Sequence, residues 1–178
     1  MSLLIRDSLP GDVPAITAIY GHAVLHGNAS FELEPPDAEE IARRRDAVLD
    51  AGFPHLVAED ATRGVVGYSN VGPYRTRPAY RFTVENSVYV APDCQGQGIG
   101  RALLLPLIER CEQAGFRLLV AVIGDSANLA SIRLHESCGF RHAGLLPAIG
   151  WKHERWLDSV IMVRPLGLGA SQPPTEIR

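Results

Sequence analysis

The feature that most constrains this chain is a glycine-rich loop between a predicted strand and a predicted helix. Gly96, Gly98 and Gly100 follow the predicted strand 82–90, which is rich in Val, Tyr and Phe, and precede apolar residues at helical spacing. Glycine lets backbone N–H groups converge on an anion because no Cβ blocks the approach. The helix start adds unpaired N–H groups and the positive end of its dipole, and Arg101 adds a charge. This unit predicts a binding site for a pyrophosphate.

The spacing of the glycines leaves the identity of the phosphate ligand open. A nucleoside triphosphate loop has the pattern G-x-x-x-x-G-K-[ST], and no Lys-Ser or Lys-Thr pair follows these glycines. A dinucleotide loop has G-x-G-x-x-G near the start of a strand–helix–strand unit, whereas this spacing is G-x-G-x-G and lies late in the chain. Both patterns fit poorly, and a flexible helix-start turn without a ligand stays as the alternative.

Hydrophobic periodicity predicts the remaining elements of a single α/β domain. Strands are expected at residues 3–6, 55–59, 65–71, 82–90, 118–123, 140–144 and 155–163. Helices are expected from the N-cap Asp12 to about residue 24, from the N-cap Asp37 to Gly52, from Ile99 to Gly115, and over 128–137. This order mixes hairpins with strand–helix–strand units, which predicts a mixed sheet with helices on its faces.

Length, charge and cysteine content narrow the class of protein. The 178 residues suit one domain, and the net charge of -3 argues against a nucleic-acid partner. No apolar run approaches the roughly 18 residues of a membrane span, and the first residues turn charged too soon for a signal peptide. Cys94, Cys111 and Cys138 have an odd count and no metal-like spacing. We therefore expect reduced thiols in a cytoplasmic protein without a metal.

Two ordered motifs identify a resemblance. Residues 88–104, VYVAPDCQGQGIGRALL, follow the pattern V-x-P-x-x-[QR]-G-x-G-[IV]-[GA], and residues 128–140, NLASIRLHESCGF, form a second block. Both resemble the GNAT superfamily of acetyltransferases, and the resemblance extends from about residue 5 to 166. It implies a single-domain GNAT-like fold over 1–166, with a mixed, mostly antiparallel central sheet splayed at the acetyl-CoA site and helices on both faces. The tail 167–178 is expected to be mobile.

The resemblance also implies which residues contact acetyl-CoA, the expected co-substrate. The pantetheine arm pairs with the backbone of the central strand in GNAT enzymes, the glycine-rich loop holds the pyrophosphate, and a backbone N–H, here that of Val90, stabilises the thioester oxygen. Asn128 matches a coenzyme contact; without the resemblance it is simply a helix N-cap. The expected coenzyme-binding residues are Val88, Tyr89, Val90, Gln95, Gly96, Gln97, Gly98, Ile99, Gly100, Arg101 and Asn128.

Four further segments resemble a narrower group, the phosphinothricin and methionine sulfoximine N-acetyltransferases. They are GPYR at 72–75, TVENSVYV at 83–90, VAVIG at 120–124 and GWKH at 150–153. Such enzymes acetylate the amino group of small glutamate-like compounds, so the resemblance implies a small-molecule amine substrate. It also implies a homodimer with the active sites near the subunit boundary.

The resemblance assigns two catalytic residues. Glu85 matches the base that deprotonates the amine, directly or through water; alternatively it is a solvated strand carboxylate. His135 stands where many GNAT enzymes carry a tyrosine that protonates the coenzyme thiolate, and an imidazole is able to donate that proton. The alternative for His135 is a structural role within its helix. The expected reaction is a direct attack of the amine on the thioester in a ternary complex.

Substrate contacts are expected near a basic, aromatic loop. Arg75 and Arg77 suit a carboxylate or phosphinate because guanidinium groups form bidentate hydrogen bonds. The alternative for either arginine is a place on a solvated surface loop. The full set of expected substrate-binding residues is Phe31, Arg75, Thr76, Arg77, Tyr80, Asn86 and Ser87, and Tyr89 is expected to help to wall the pocket. Four other histidines, His22, His26, His55 and His142, are interpreted as structural.

Two other functions stay open at this point. One is acetylation of a protein N-terminus or lysine, and the compact loop 74–80 argues mildly for a small ligand instead. The other is a non-catalytic regulator that binds acetyl-CoA. The presence of both Glu85 and His135 argues against the regulator, because a protein that only binds the coenzyme needs neither residue.

Overall fold

Seven strands form one mixed sheet in the computed structural model, which describes residues 3–174. The strands are β1 (Leu3–Asp7), β2 (His55–Asp60), β3 (Gly64–Pro73), β4 (Thr83–Val90), β5 (Leu118–Gly124), β6 (Arg141–Lys152) and β7 (Arg155–Pro165). The helices are α1 (Val13–His26), α2 (Ala38–Asp50), α3 (Ile99–Gln113) and α4 (Leu129–Ser137). All the elements expected from the sequence are present, so the predicted α/β class is confirmed.

The strand order across the sheet is β1-β2-β3-β4-β5-β7-β6. The central pair β4–β5 is parallel, and the other five neighbouring pairs are antiparallel. The crossover that makes β4 and β5 parallel runs through the glycine-rich loop and α3, as a parallel connection requires. The loop therefore starts at the end of the central strand, in the middle of the sheet.

Helices cover both faces of the sheet because alternate strand residues are apolar. Leu56 and Ala58 of β2 pack in the larger core with α3, whereas Val57 between them packs with α1 and α2. Side chains alternate in this way along any strand. The sheet thus has an α1/α2 face and an α3/α4 face, and β4 contributes side chains to both.

Two details of the sequence prediction differ in the structure. Asp12 precedes α1 but makes no capping hydrogen bond there; its carboxylate instead accepts from the Arg6 guanidinium at 2.7 and 2.8 Å and from the Leu9 N–H at 2.7 Å. The strand expected at 140–144 extends to Lys152, because a register shift between Leu146 and Gly150 lets β6 resume its pairing with β7. Asp37 caps α2 as expected, by accepting from the Glu40 N–H.

The tail prediction covers residues 167–178, of which 175–178 lie outside the described residues. The described part forms turns, in which the Gly169 N–H donates to the Leu166 carbonyl at 2.8 Å. Mobility of this tail stays a prediction. Within residues 3–174, no helix combines the length and apolarity needed to cross a bilayer.

Candidate active site

The central strands β4 and β5 separate halfway along their length. They pair only from Thr83 to Glu85 with Leu118 to Val120. Beyond that point β4 stays paired with β3 as far as Val90, and β5 stays paired with β7 as far as Gly124. A gap therefore opens between the second half of β4 and β5, which is the splay that the sequence resemblance implied.

The backbone of Val88 and Val90 faces this gap. The Ala91 N–H donates to the Val66 carbonyl of β3 at 2.8 Å, so Ala91 points its backbone groups away from β5. Backbone groups of successive strand residues point to opposite sides. Val88 and Val90 therefore present their N–H and C=O groups towards the gap, where β5 no longer pairs with them. An extended ligand arm could pair with this free edge.

Side chains of β4 divide between the two faces of the sheet. Tyr89 lies on the α1/α2 face, where its ring packs edge-on to Tyr20 with ring centroids 5.0 Å apart. Asn86 lies on the α3/α4 face, because its Nδ2 atom is 3.0 Å from Nε2 of His135 in α4. By alternation, Glu85 shares the face of Tyr89. The two predicted catalytic residues thus approach the gap from opposite faces.

The glycines of the loop serve two different purposes. Gly96 and Gly98 have φ of 74° and 81°, in the left-handed region that favours glycine, and a Cβ on either would meet nothing within 4 Å. Gly100 instead lies under α4, where a Cβ would stand 2.9 Å from Leu134 Cδ2. The first two glycines therefore set the backbone of an open loop, and the third allows α3 and α4 to pack closely.

A cavity of about 890 Å³ lies beside this loop and the start of α3. Ten of the eleven predicted coenzyme residues line it: Val88, Tyr89, Val90, Gln95, Gly96, Gly98, Ile99, Gly100, Arg101 and Asn128. Gln97 is the exception, since it is exposed and its side chain donates to the Asp93 carbonyl at 3.3 Å. Asn128 is also the N-cap of α4, where its Oδ1 accepts from the Ser131 N–H at 3.2 Å.

A smaller cavity of about 290 Å³ lies in the gap itself. Both predicted catalytic residues line it, Glu85 from β4 and His135 from α4, together with Phe31, Asn86 and Ser87 of the predicted substrate set. It shares lining residues with the larger cavity: Ala29, Val88, Tyr89, Asn128 and Ser131. The two cavities are therefore adjacent, and a ligand bound along the loop could extend its end towards Glu85.

The half-buried Glu85 carboxylate experiences two opposing influences. Burial raises its pKa because a charged group loses solvation, and the nearby positive charge of Arg75 partly counteracts this rise. A raised carboxylate pKa strengthens the conjugate base. Glu85 is thus better suited to accept a proton at neutral pH than a fully solvated glutamate.

His135 is buried as a neutral imidazole. Its Nδ1–H donates to the Ser131 carbonyl at 2.8 Å, because a carbonyl only accepts, and its Nε2 therefore accepts from the Asn86 amide. Burial lowers its pKa, and the bond to Ser131 opposes that change in part. In this arrangement Nε2 carries a lone pair rather than a proton.

The segment between α1 and α2 contributes Phe31 to the lining of the cavity in the gap. The ring of Phe31 packs against Gly150 and Gly124, where an added Cβ would lie 2.5 and 2.9 Å from ring carbons. Lys152 is buried and donates to the Ser30 carbonyl at 2.7 Å. Sequence reasoning identified Phe31 but not the residues that hold it, since these lie far along the chain in β5 and β6.

The basic, aromatic loop lies apart from the cavity walls. Arg75, Thr76, Arg77 and Tyr80 are exposed and lie outside the lining of both cavities. The Arg75 guanidinium lies 5.1 Å from the centroid of the Tyr74 ring, and Tyr80 packs edge-on to the same ring. Arg75 alone among these four influences the pKa of Glu85. The structure therefore places this loop beside the site, with Arg75 nearest in its electrostatic effect.

The residues 3–174 contain no cluster of three or more His, Cys, Asp or Glu side chains arranged to hold a metal ion. The functional groups that converge on the gap are one carboxylate, one imidazole, an amide and the free edge of β4. These groups suit proton transfer and the binding of a phosphate-bearing ligand along the loop.

Comparison with known proteins agrees with this geometry. The Acetyltransferase (GNAT) family profile matches residues 22–140. The chain is 53% identical over 171 residues to a phosphinothricin N-acetyltransferase of Alcaligenes faecalis, which covers 96% of this chain and 85% of that protein. It is 43% identical over 159 residues to the L-amino acid N-acyltransferase MnaT of Escherichia coli, covering 89% of this chain and 91% of that protein.

Solved structures show the same fold. A GNAT superfamily phosphinothricin acetyltransferase from Sinorhizobium meliloti, in complex with acetyl-CoA, superposes with a TM-score of 0.95 at 45% identity, covering 99% of this chain and 95% of that one. The splayed sheet, the glycine-rich loop and the family match point to one assignment: the chain belongs to the GNAT family of acetyltransferases.

Proposed function

We propose that this protein transfers the acetyl group of acetyl-CoA to the amino group of a small amino-acid analogue of the phosphinothricin or methionine sulfoximine type, by direct attack in a ternary complex. One observation carries the proposal: the cavity lined by Glu85 and the cavity beside the glycine-rich loop adjoin at the same gap, where they share lining residues of β4 and α4. A base and a coenzyme site that meet in one gap are what amine acetylation needs.

The residues around the loop fit acetyl-CoA. Gly96 and Gly98 leave open space on the outer side of the loop, and α3 begins with unpaired N–H groups next to Arg101. These groups would hold the pyrophosphate, and the free backbone edge at Val88 and Val90 would pair with the pantetheine arm. The coenzyme supplies an acetyl group activated as a thioester.

Glu85 acts as the base. A substrate ammonium carries its proton at neutral pH, so a carboxylate must accept that proton before or during attack. Glu85 accepts it directly or through one water in the 290 Å³ cavity. The N–H of Val90 donates to the thioester oxygen as negative charge develops there.

His135 supplies the proton that the leaving thiolate needs. Because Nε2 accepts a hydrogen bond in the neutral protein, donation requires that Nε2 first takes up a proton from solvent and that the Asn86 amide rotates so that its Oδ1 accepts from the Nε2–H. Asn86 Oδ1 is buried without a hydrogen-bond partner, so no bond to that oxygen has to break for the rotation. The substitution His135→Gln separates this role from a structural one, because glutamine keeps a polar contact to Asn86 and cannot become a cation.

The acceptor is assigned from the relatives and from the size of the site. Proteins 42% identical over 173 residues, such as one from Pseudomonas aeruginosa, are L-methionine sulfoximine/L-methionine sulfone acetyltransferases. A cavity of about 290 Å³ suits an amino acid better than a folded protein segment. Arg75, whose charge lowers the pKa of Glu85, is the residue that we assign to the acceptor carboxylate, with Arg77, Thr76 and Tyr80 on the same loop.

A second copy of the chain covers the edge strand β6. This strand and its neighbour expose five large apolar side chains, which are Leu145, Leu146, Ile149, Trp151 and Trp156. Exposed apolar groups on an unpaired edge mark an interaction surface. The homodimer is tested by light scattering after chromatography, where Trp156→Lys should yield a monomer.

We also assign the protein to the cytoplasm, consistent with three buried free cysteines.

The decisive experiment follows free thiol release from acetyl-CoA with a panel of amines. Amino acids with sulfone, sulfoximine and phosphinate side chains should be acetylated, and peptides should not. Turnover with peptides alone would contradict the proposal in favour of a protein acetyltransferase. Tight acetyl-CoA binding without any turnover would instead indicate a regulator.

A further inference from the structure

A third, smaller cavity extends from the active site underneath α1 and α2. Its volume is about 130 Å³, and it shares Ser87 and Tyr89 with the cavity in the gap. Its lining residues include Arg44, Arg45, His55, Tyr68, Asn70 and Ser87. Most of these side chains carry a hydrogen-bonding group, although the surrounding space is the apolar core between two helices and the sheet. We call this cavity the side pocket.

The floor of the side pocket is a polar row across three strands. Ser87 of β4 lies directly opposite Asn70 of β3, and Asn70 lies directly opposite His55 of β2. Directly opposite residues point to the same face of a sheet. The row begins two residues after Glu85 and runs away from the gap, so it leads from the reacting centre into the interior.

His55 has an unmet hydrogen-bonding requirement at the inner end of this row. The side chain is 3% exposed, and its Nδ1 atom is buried without a hydrogen-bond partner. Its ring stacks on Tyr68 with centroids 5.8 Å apart, which fixes its orientation. A buried polar atom is costly unless something bonds to it. A molecule or group that forms a hydrogen bond with Nδ1 of His55 would remove this cost.

The charges around the side pocket are already compensated. Arg44 donates to Glu32 and to Glu40, each at 2.6 Å. Arg45 donates to Asp46 at 2.6 Å and to the side chain and carbonyl of Ser8. Burial lowers the pKa of His55 to about 4, so its imidazole is neutral at pH 7. The lining thus offers hydrogen bonds but no free positive charge for an anion.

We propose that the side pocket is the subsite for the distal end of the acceptor's side chain, and that it selects an uncharged hydrogen-bonding group such as a sulfone, sulfoximine or carboxamide over an anionic phosphinate. The proposal rests on the function proposed above. Neighbouring strands lie about 4.8 Å apart, so Asn70 is one strand spacing from Ser87. A side chain of glutamate length that passes Ser87 while its amine lies near Glu85 therefore reaches Asn70. Asn70, with His55 behind it, then determines specificity.

The test compares three acceptors with equal backbones. L-Methionine sulfone has a neutral polar end, phosphinothricin has an anionic one, and L-norleucine has an apolar one of similar length. The variants are Asn70→Leu, which removes the amide at nearly constant volume, and His55→Phe, which keeps the ring. Gln113→Leu on the exposed end of α3 is the matched control. Melting temperature and acetyl-CoA affinity show that each variant is folded.

The wild type should prefer the sulfone to both other acceptors in kcat/KM. Asn70→Leu should lower the sulfone-to-norleucine ratio of kcat/KM by about tenfold or more, as expected when a buried hydrogen-bonding partner is lost, and Gln113→Leu should not change it. His55→Phe provides the same comparison if Asn70→Leu does not fold.

Three results would overturn the inference. An unchanged sulfone-to-norleucine ratio of kcat/KM in folded variants would show that the side pocket does not bind the acceptor. A crystal structure with the sulfone that shows only waters in the side pocket would support the same conclusion. A preference of the wild type for phosphinothricin would contradict the selection of neutral groups. Absence of turnover with all three acceptors would also remove the proposed function itself, whereas turnover with an unchanged ratio would remove this inference alone.

Discussion

The proposed coenzyme site and the proposed acceptor site along β4 use different parts of the polypeptide. For the coenzyme, the loop Gln95 to Gly98 and the strand edge at Val88 and Val90 offer backbone groups. For the acceptor, we propose the side chains of Glu85, Ser87 and Asn70 on the α1/α2 side of the sheet. The coenzyme site therefore depends on glycines and on backbone direction, whereas the acceptor site depends on which side chains meet across the sheet.

This difference explains why acetyl-CoA is easier to identify than the amine. Backbone binding needs a local run of residues with fixed spacing, and that run is visible as a motif. The proposed acceptor site combines Phe31, Asn70 and Glu85 from a loop and two strands, and no spacing in the sequence records that they line adjacent cavities. Substitutions in the coenzyme site should consequently lower the affinity for acetyl-CoA, whereas substitutions in the acceptor site should lower kcat/KM with that affinity retained.

The largest effect is expected from Gly98→Val on the coenzyme side. Valine is strained at the φ of 81° and would occupy space beside the loop N–H groups, so two or more charge-assisted hydrogen bonds should be lost. At about 1.5–3 kcal/mol each, affinity for acetyl-CoA should fall about 100-fold or more. Calorimetric titration measures this change.

Gly52→Val is the matched control for that substitution. Gly52 has φ of 77° and open space around its Cβ position, but it lies after α2, away from the cavities. Both variants should lose stability by about 1–2 kcal/mol, and only Gly98→Val should lose coenzyme affinity. Equal acetyl-CoA affinity in the two variants would show that the loop does not hold the phosphates.

Glu85→Gln should act on the acceptor side alone. Removing a general base lowers kcat/KM by about 10²–10⁴-fold, while acetyl-CoA should still raise the melting temperature as it does in the wild type. The acid limb of the pH–rate profile should disappear, because no carboxylate remains to be protonated. If kcat/KM stays within about twofold of wild type, Glu85 is not the base.

Arg75→Gln should produce a smaller, diagnostic change. The Arg75 charge lowers the pKa of Glu85 against the effect of burial, so its removal should raise that pKa. The active form has Glu85 deprotonated; the acid limb of kcat/KM should therefore move to higher pH, by about half a pH unit. Arg77→Gln on the same loop is the control, and a shift of equal size in that variant would contradict the assignment to Arg75.

His55→Phe should change the pH dependence of stability. The unfolded chain binds a proton at His55 below about pH 6.5, whereas the folded protein does so only below about 4. Acidification therefore favours unfolding, and the contribution of His55 reaches about 3 kcal/mol between pH 7 and pH 4. Urea unfolding at several pH values should show a shallower loss in His55→Phe. Parallel curves for wild type and variant would mean that His55 is not buried as a neutral group.

Much of the fold was predictable because its signals are local. The periodicity around Ile16 and Leu103, the Asp37 N-cap and the glycine-rich loop each depend on neighbouring residues, and the strands alternate as expected. The full length of β6 was missed because Pro147 and the register shift near it interrupt the local pattern, and only pairing with β7 restores the strand.

Long-range contacts account for what the sequence could not predict in the site. Asp12 was expected to cap a helix but binds Arg6, a charged partner that its own strand places nearby. His55 was interpreted as structural, and only the pairing of three strands places it in a row with Asn70 and Ser87. Such juxtapositions are set by the register of the sheet.

The central claim is that the amine attacks the thioester directly in the gap between β4 and β5, with no acetylated enzyme in between. Intact-protein mass spectrometry after mixing with acetyl-CoA, before and after addition of L-methionine sulfone, tests it most directly. We predict that the protein mass stays unchanged throughout, and that free thiol appears only once the amine is present. Stoichiometric thiol release and an acetylated protein before the amine is added, followed by loss of the adduct afterwards, would contradict the account.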